Sequence, residues 1–333
     1  LTITAGELDT GPNNVALTVT GRIDIASGAT LTCNSSAVSS AGGVTVTGTL
    51  NAPDASGSLT ISGEYSNRAI DVVGTFNNND GTITITYAGQ SQIRWPSSSN
   101  PHSLVINHAS ADIRLAGDMD TAGSREFEGN VIITAGILST LDVDGSQNHN
   151  LTVAGHTEIG PATGSADQAT LTCNASAISL GSGITSQYGL IVQKGGTFVG
   201  GTGTHTIGSI KIVNSANAKC ALTSGVTTLN GEHASDNYIF TIEGANGDDN
   251  FNHSSGTVTI TRASDTRIRN AGAALVLNNL IINHASADIT LASNGLTCAG
   301  GLTVTAGGFG TGADKALTVT GATDVAGTLT LNG

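Results

Sequence analysis

LTITAGELDTGPNNVALTVTG, from Leu1 to Gly21, decides how the rest of the chain is read. Apolar residues alternate with Thr, and Gly closes each run. The stretch returns as VIITAGILSTLDVDGSQNHNLTVAG at Val131–Gly155 and as LTVTAGGFGTGADKALTVTG at Leu302–Gly321. Alternation with period two is the mark of a strand with one buried face, and Val, Ile and Thr suit it. A phrase that recurs at long intervals marks a repeat architecture.

Working outward, similar short runs fill the chain: ALTVT, RIDI, ATLTC, VTVTG, SLTIS, TITITY and SLVIN in the first hundred residues or so. Gly, Asn, Asp or Ser separates them, and run centres lie roughly 8–14 residues apart, an all-β spacing. No stretch shows the 3.6-residue period or the caps of a helix. The octet INHASADI occurs unchanged at Ile106–Ile113 and Ile282–Ile289. Cys33 and Cys173 hold the same place in two copies of ATLTCN, and FNNNDGTITIT at Phe76 answers FNHSSGTVTIT at Phe251. These landmarks divide the chain into a first superrepeat, 1–130, a second, 131–301, and the start of a third, 302–333. About ten residues enter the second copy around Asp142–Gln168, and about 35 between Cys173 and Phe251. A stack of rungs tolerates such insertions because each rung touches only its neighbours.

The sequence therefore predicts an all-β parallel β-solenoid. Each rung takes about 20 residues in two or three short strands, with Leu, Ile and Val stacked inside. Asn34, Asn107, Asn174 and Asn283, at the ends of runs, are expected to form turn ladders, since Asn tolerates the left-handed conformation. The alternative is a tandem array of β-sandwiches, with Asn-Gly and Asp-Gly pairs such as Asp80-Gly81 and Asn294-Gly295 as hairpin turns. Aromatics at 3% and the lack of a core Trp with paired Cys argue against it.

Composition bounds the function. Charged residues are 11% against a usual value of about a quarter, and the net charge is −13. Nucleic acid is disfavoured, because its phosphates require Lys and Arg. No apolar run reaches the roughly 18 residues of a membrane span. The chain opens and closes inside strand patterns, so it reads as a piece of a longer or processed polypeptide. Cys33, Cys173, Cys220 and Cys298 form no CxxC pair and read as small buried hydrophobes.

Each motif with chemical potential has a plainer reading. GGTGTHTIG at Gly200–Gly208 approaches the calcium nonapeptide, but His205 stands where the ligand Asp belongs and no tandem copy follows. Asp142, Asp144 and Gly145 are a fragment of an EF-hand loop without its remaining ligands. Asp248 and Asp249 read as a solvated loop. His108 and His284, with Asp112 and Asp288, are equivalents in the two octets and read as structural or surface groups. Sugar-gripping residues are few: Trp95, Tyr65, Tyr87, Tyr188 and Tyr238. Arg94 and Trp95 precede Pro96 at an expected exposed corner, and Arg262, Arg267 and Arg269 form a small basic cluster. Sequons at Asn34, Asn150, Asn174 and Asn252 are frequent by chance in such a composition. No catalytic, cofactor-binding or metal-binding residue is assigned, no cofactor is expected, and the chain is not expected to be an enzyme.

The phrases LTITAGELDTG, ALTVTG, FNHSSGTVTIT, LNNLIINHASADITLAS and GTLTLNG resemble the Thr/Gly-rich repetitive β-solenoid regions of tailed-phage fibre and adhesin-like virion proteins, of a type common in marine phages. The resemblance covers nearly the whole chain and is weakest over Ile184–Asn250. It implies a structural or adhesive fibre element for host attachment, on the virion surface or otherwise extracellular. Implied partners are further copies of the chain, other virion or surface proteins, and a host-cell glycan or surface receptor. A bacterial secreted or cell-surface adhesin is the first alternative. A tailspike-like polysaccharide depolymerase is the second. The interruption around 184–250 is the expected place for a specific contact.

Overall fold

The computed structural model describes residues 1–97, 99–117, 124–161, 168–244 and 250–332. Among them there is no helix, and hence none long and apolar enough to cross a membrane. Among the described residues the strands pair in parallel, as a β-solenoid requires, and antiparallel pairing is confined to isolated bridges such as Tyr65–Arg68. The sandwich alternative fails on this point, because its hairpins would pair antiparallel. Asp80 and Asn294 do take left-handed φ of 65° and 48°, but they turn the chain between rungs. Contacts divide the chain into two units, Leu1–Gly155 with Asp167–Thr172, and His156–Ala166 with Cys173–Gly333. Each unit is a parallel β-solenoid.

In the first unit each early rung supplies three strands to three ladders. One ladder runs through Thr2–Ile3, Ile23–Ile25, Val44–Val46 and Arg68–Val72. A second joins Gly6–Asp9, Ala29–Thr32, Thr49–Asp54 and Thr75–Asn79. The third joins Leu17–Val19, Ala37–Ser40, Ser58–Ile61, Thr82–Ile85 and the start of Ser103–Leu115. Like sits on like inside: Leu31 on Leu50 on Phe76, and Val38 on Leu59 on Ile83 on Leu104, all buried. Each such side chain contributes about 1.5–3 kcal/mol by burial, so the alternating pattern stabilises the stack one rung at a time. Outside, Asn77 donates to Asn51 at 2.7 Å and Asn51 to Thr32 at 2.8 Å, an amide ladder along the second sheet.

The second unit repeats the plan. Ile159, Val192, Ile212 and Ile242 stack in one ladder, and Leu180, Ile207, Leu229, Ile260, Ile282 and Val304 in another. Phe198 lies on Cys220, and Cys220 on Phe251. All four cysteines are buried and none is in a disulfide, and burial pushes Cys33 and Cys220 up to about 12 and Cys298 to about 11.

The recurrent TAG phrase has one structural job. Strand Val131–Ser139 bends at Gly136, φ 97°, and strand Leu302–Gly310 bends at Gly307, φ 83°. Against each glycine lies the centre of an octet. Asn107 pairs with Ala135 and Asp112 with Ile137, so His108–Ala111 stand opposite Gly136 alone. Asn283 pairs with Ala306 and Asp288 with Gly308, so His284–Ala287 stand opposite Gly307. A Cβ at Gly307 would lie 2.4 Å from the His284 carbonyl and 2.5 Å from that of Ala287. Because the corner is built this way, Asn107 and Asn283 stay inside strands, contrary to the turn expected for them. Asn34 and Asn174 do adopt left-handed turns, at φ 48° and 51°.

Candidate functional site

The strands Thr157–Ile159, Leu190–Val192, Ile210–Ile212, Tyr238–Ile242 and Asp265–Asn270 stack in the second unit. Alternation sends Leu190 and Val192 inward and Ile191 outward. The column on the opposite face is Glu158, Ile191, Lys211, Thr241 and Arg269, with Thr241 buried, and it carries more charge than the neighbouring Thr206, Thr228 and Thr259. It falls within or beside the interruption of the repeat.

Two loops cover this column. The turn His233–Tyr238 closes on itself: His233 N–H donates to the Tyr238 carbonyl at 3.1 Å, Asn237 is left-handed at φ 57°, and Ala234 N–H ties the turn to the Thr185 carbonyl at 2.9 Å. That tie brings Tyr188 beneath His233. Their rings stack with centroids 4.7 Å apart and planes 4° from parallel. Asp236 holds both: Tyr188 Oη donates to its Oδ2 at 3.0 Å, and His233 Nδ1 lies 3.0 Å from its Oδ1. Tyr188 is only 5% exposed, and burial, with Asp236 beside it, pushes its hydroxyl pKa up. It therefore stays protonated and donates. The Asp236 contact engages the Nδ1 side of the His233 ring and fixes the ring's orientation.

The surrounding charges are matched. Lys211 Nζ is 2.8 Å from Glu243 and 5.8 Å from the Tyr188 ring centre. Gln193 donates to Glu158 at 3.0 Å. Below, Glu232 accepts from Arg262 at 2.8 Å and from Ser264 at 3.2 Å, and Arg269 lies over the Tyr238 ring at 5.6 Å. Between Gln187, Tyr188, Ile191, Gln193, Lys211 and His233 lies a groove of about 220 Å³. It offers a flat ring, amides, an ammonium and a carboxylate. Asp236 and His233 form an oriented acid–base pair, but the carboxylates around them already have partners.

The other sequence candidates separate into structural roles. His108 and His284 each accept, through Nδ1, a backbone hydrogen bond at 3.2 Å from Ser110 and Ser286, closing the octet corner. Asp112 is paired with Arg114 at 3.0 Å and receives Gln90 at 2.8 Å. Its counterpart Asp288 faces Asp265 across the ladder. Asp142 and Asp144 accept hydrogen bonds from Ser146 and Gln147 within their own loop, and the Ser146 bonds hold the Asp144 carboxyl below its usual range. No group of three or more His, Cys, Asp and Glu side chains among the described residues forms a metal site. His205 points inward against Phe198, 1% exposed, and burial pushes its imidazole down to about 4. Trp95, expected at an exposed corner, is 2% exposed and packs edge-on against Phe127 at 5.1 Å, while Arg94 pairs with Asp71 at 2.6 Å. Inward parity at Ile93 and Trp95 explains the difference. Tyr65 is exposed under the Arg22 guanidinium, 3.8 Å from its ring centre. Asp248 and Asp249 lie outside the described residues.

Of the sugar-gripping aromatics, then, only Tyr188 lines the groove. His233, Asp236, Lys211 and Gln193 carry no local motif. Their one shared signal is position inside the stretch that breaks the repeat. Comparison of the chain with protein-family models, with curated proteins and with solved structures finds no match.

Proposed function

We propose that this chain is a structural and adhesive element of a phage virion, a segment of tail or head fibre that presents a host-contacting face. The observation that carries the reading is the contrast between faces. Some outward columns are plain, such as Thr18, Ser39, Thr60 and Thr84 or Thr206, Thr228 and Thr259, whereas one column carries the Tyr188–His233–Asp236 cluster over a groove. A scaffold of near-identical rungs with one decorated interruption suits display. The engaged carboxylates favour binding over hydrolysis: Asp236 is held by Tyr188 and His233, Glu158 by Gln193, and Glu243 by Lys211. Localisation on the virion surface and assembly with further copies or other virion proteins belong to the same proposal.

Immunogold labelling with antibody raised against the chain tests it, on virions and host cells from the source material. Label along tail or head fibres is the expected result. Label confined to a bacterial envelope would overturn the virion assignment in favour of a surface adhesin.

A further inference from the structure

We infer that the groove beside Tyr188 and His233 binds a single uncharged pyranose ring, which names the ligand class for the adhesive reading and rests on it. Three features converge. The first is a rigid aromatic wall. Tyr188 is seated in the body of the unit, and His233 lies flat on it, with its side chain 24% exposed as the outer layer. Asp236 bonds to both rings, so the wall needs no ordering when a ligand arrives. Preorganisation of this kind lowers the entropic cost of binding. The C–H face of a pyranose is apolar and flat, and it packs on such a ring.

The second feature is a rim that both gives and accepts hydrogen bonds. Lys211 keeps donors beyond the one used on Glu243, and Gln187 and Gln193 carry amides that both give and accept. Vicinal hydroxyls, each a donor and an acceptor, match this mixture better than a peptide or an apolar ligand does. The third feature is charge. Of the lining residues, Lys211 is already paired with Glu243 and Asp236 adds a carboxylate, so a uronate or sialate carboxylate would find no unpaired cation there. At about 220 Å³ the groove is smaller than the pockets that enclose drug-sized ligands, roughly 300–1,000 Å³, and takes one ring. Monovalent binding in the millimolar range follows, with useful adhesion arising from several copies together.

Saturation-transfer NMR on the 333-residue chain tests the inference with methyl α- and β-glycosides of glucose, galactose and mannose, and with galacturonate and sialic acid. At least one neutral glycoside is expected to receive saturation with a millimolar Kd, and each acidic sugar to bind at least about tenfold more weakly. His233→Ala should abolish transfer. Because that change opens the loop packing, Gln187→Glu serves as the second variant: it lies on the exposed rim, outside the ring stack, and exchanges an amide for a carboxylate. It should weaken the acidic sugars by a larger factor than the neutral one, and an equal or smaller loss for the acids would overturn the inference. Equal binding of acidic and neutral sugars, no transfer from any neutral glycoside, or full binding by a folded His233→Ala protein would each overturn the inference. The two readings fail separately. If His233→Ala still labels host cells, the groove is not the sugar site while adhesion stands; if the native chain binds a glycoside but coats no cell, adhesion falls and the sugar site stands.

Discussion

Alanine substitutions at three glycines that occupy one place in the repeat should cost unequal amounts. Gly6, Gly136 and Gly307 all close a TAG phrase and all have positive φ, 73°, 97° and 83°. An L-residue held in the left-handed region costs about 1–2 kcal/mol, which applies to all three. They differ in what lies against them. A Cβ at Gly6 meets nothing within 4 Å. At Gly136 it would meet the His108 carbonyl at 2.6 Å and the Ala111 carbonyl at 2.9 Å, and at Gly307 the corresponding carbonyls at 2.4 and 2.5 Å. These are backbone atoms of a hydrogen-bonded neighbour, so the strand must move away, adding about 1–3 kcal/mol. Gly6→Ala should therefore cost about 1 kcal/mol, and Gly136→Ala and Gly307→Ala about 3. Repeat arrays do not always unfold in one step, so the measurement should be local. Native-state hydrogen exchange followed by mass spectrometry reads the opening free energy of Val131–Ser139 and Leu302–Gly310 directly. Trp95 fluorescence follows the first unit in urea, since that residue is buried against Phe127. Equal costs at Gly6 and Gly136 would refute the fit of octet to glycine.

Three further outcomes follow from buried or mismatched groups. The folded protein keeps His205 neutral down to about pH 4, whereas an unfolded His takes a proton near 6.5. The unfolded state thus binds more protons between those values, and stability falls as pH drops through this window, by about 3 kcal/mol in total. His205→Leu should remove that component, seen as a flatter plot of urea-unfolding free energy against pH; an unchanged slope would contradict a buried neutral imidazole. The four thiols, buried and pushed above their usual range, should resist Ellman's reagent at pH 8 and react together in denaturant. Rapid reaction of any one in the folded chain would show that its rung opens. Asp265→Gln replaces an Asp–Asp pair by the Gln–Asp pair found at Gln90 and Asp112, so it should stabilise by about 0.2–1 kcal/mol, and less in high salt. Destabilisation would show that Asp265 has a favourable partner in solution.

Much of the fold was legible because it follows from period and repetition. Alternation over LTVT or TITIT identifies strands, and the insertion of some 35 residues between intact phrases points to stacked rungs rather than closed sheets. Corners were less legible. Asn34 and Asn174 turn as their side-chain chemistry suggests, but Asn107 and Asn283 do not, because the facing glycine lies more than twenty residues further along the chain. Trp95 was misplaced for a similar reason. A neighbouring Pro suggested a corner, while the parity of Ile93 had already turned the ring inward. The candidate site was legible only as a region. Tyr188, Lys211 and Asp236 come together through parallel register across rungs of unequal length, and no local spacing encodes that register.

The octet corners also bear on how the chain finds its threading. Its runs are so alike that many offsets would bury equivalent Leu, Ile and Val, and a two-residue slip would keep every face correct. What such a slip cannot do is seat His108–Ala111 or His284–Ala287 against a residue bearing a side chain. The protrusion and its glycine act as a key and a notch, and each key fits opposite one notch in its own unit. A long, monotonous polymer thereby carries its own proofreading marks, placed where a uniform pattern would otherwise let neighbouring turns exchange partners.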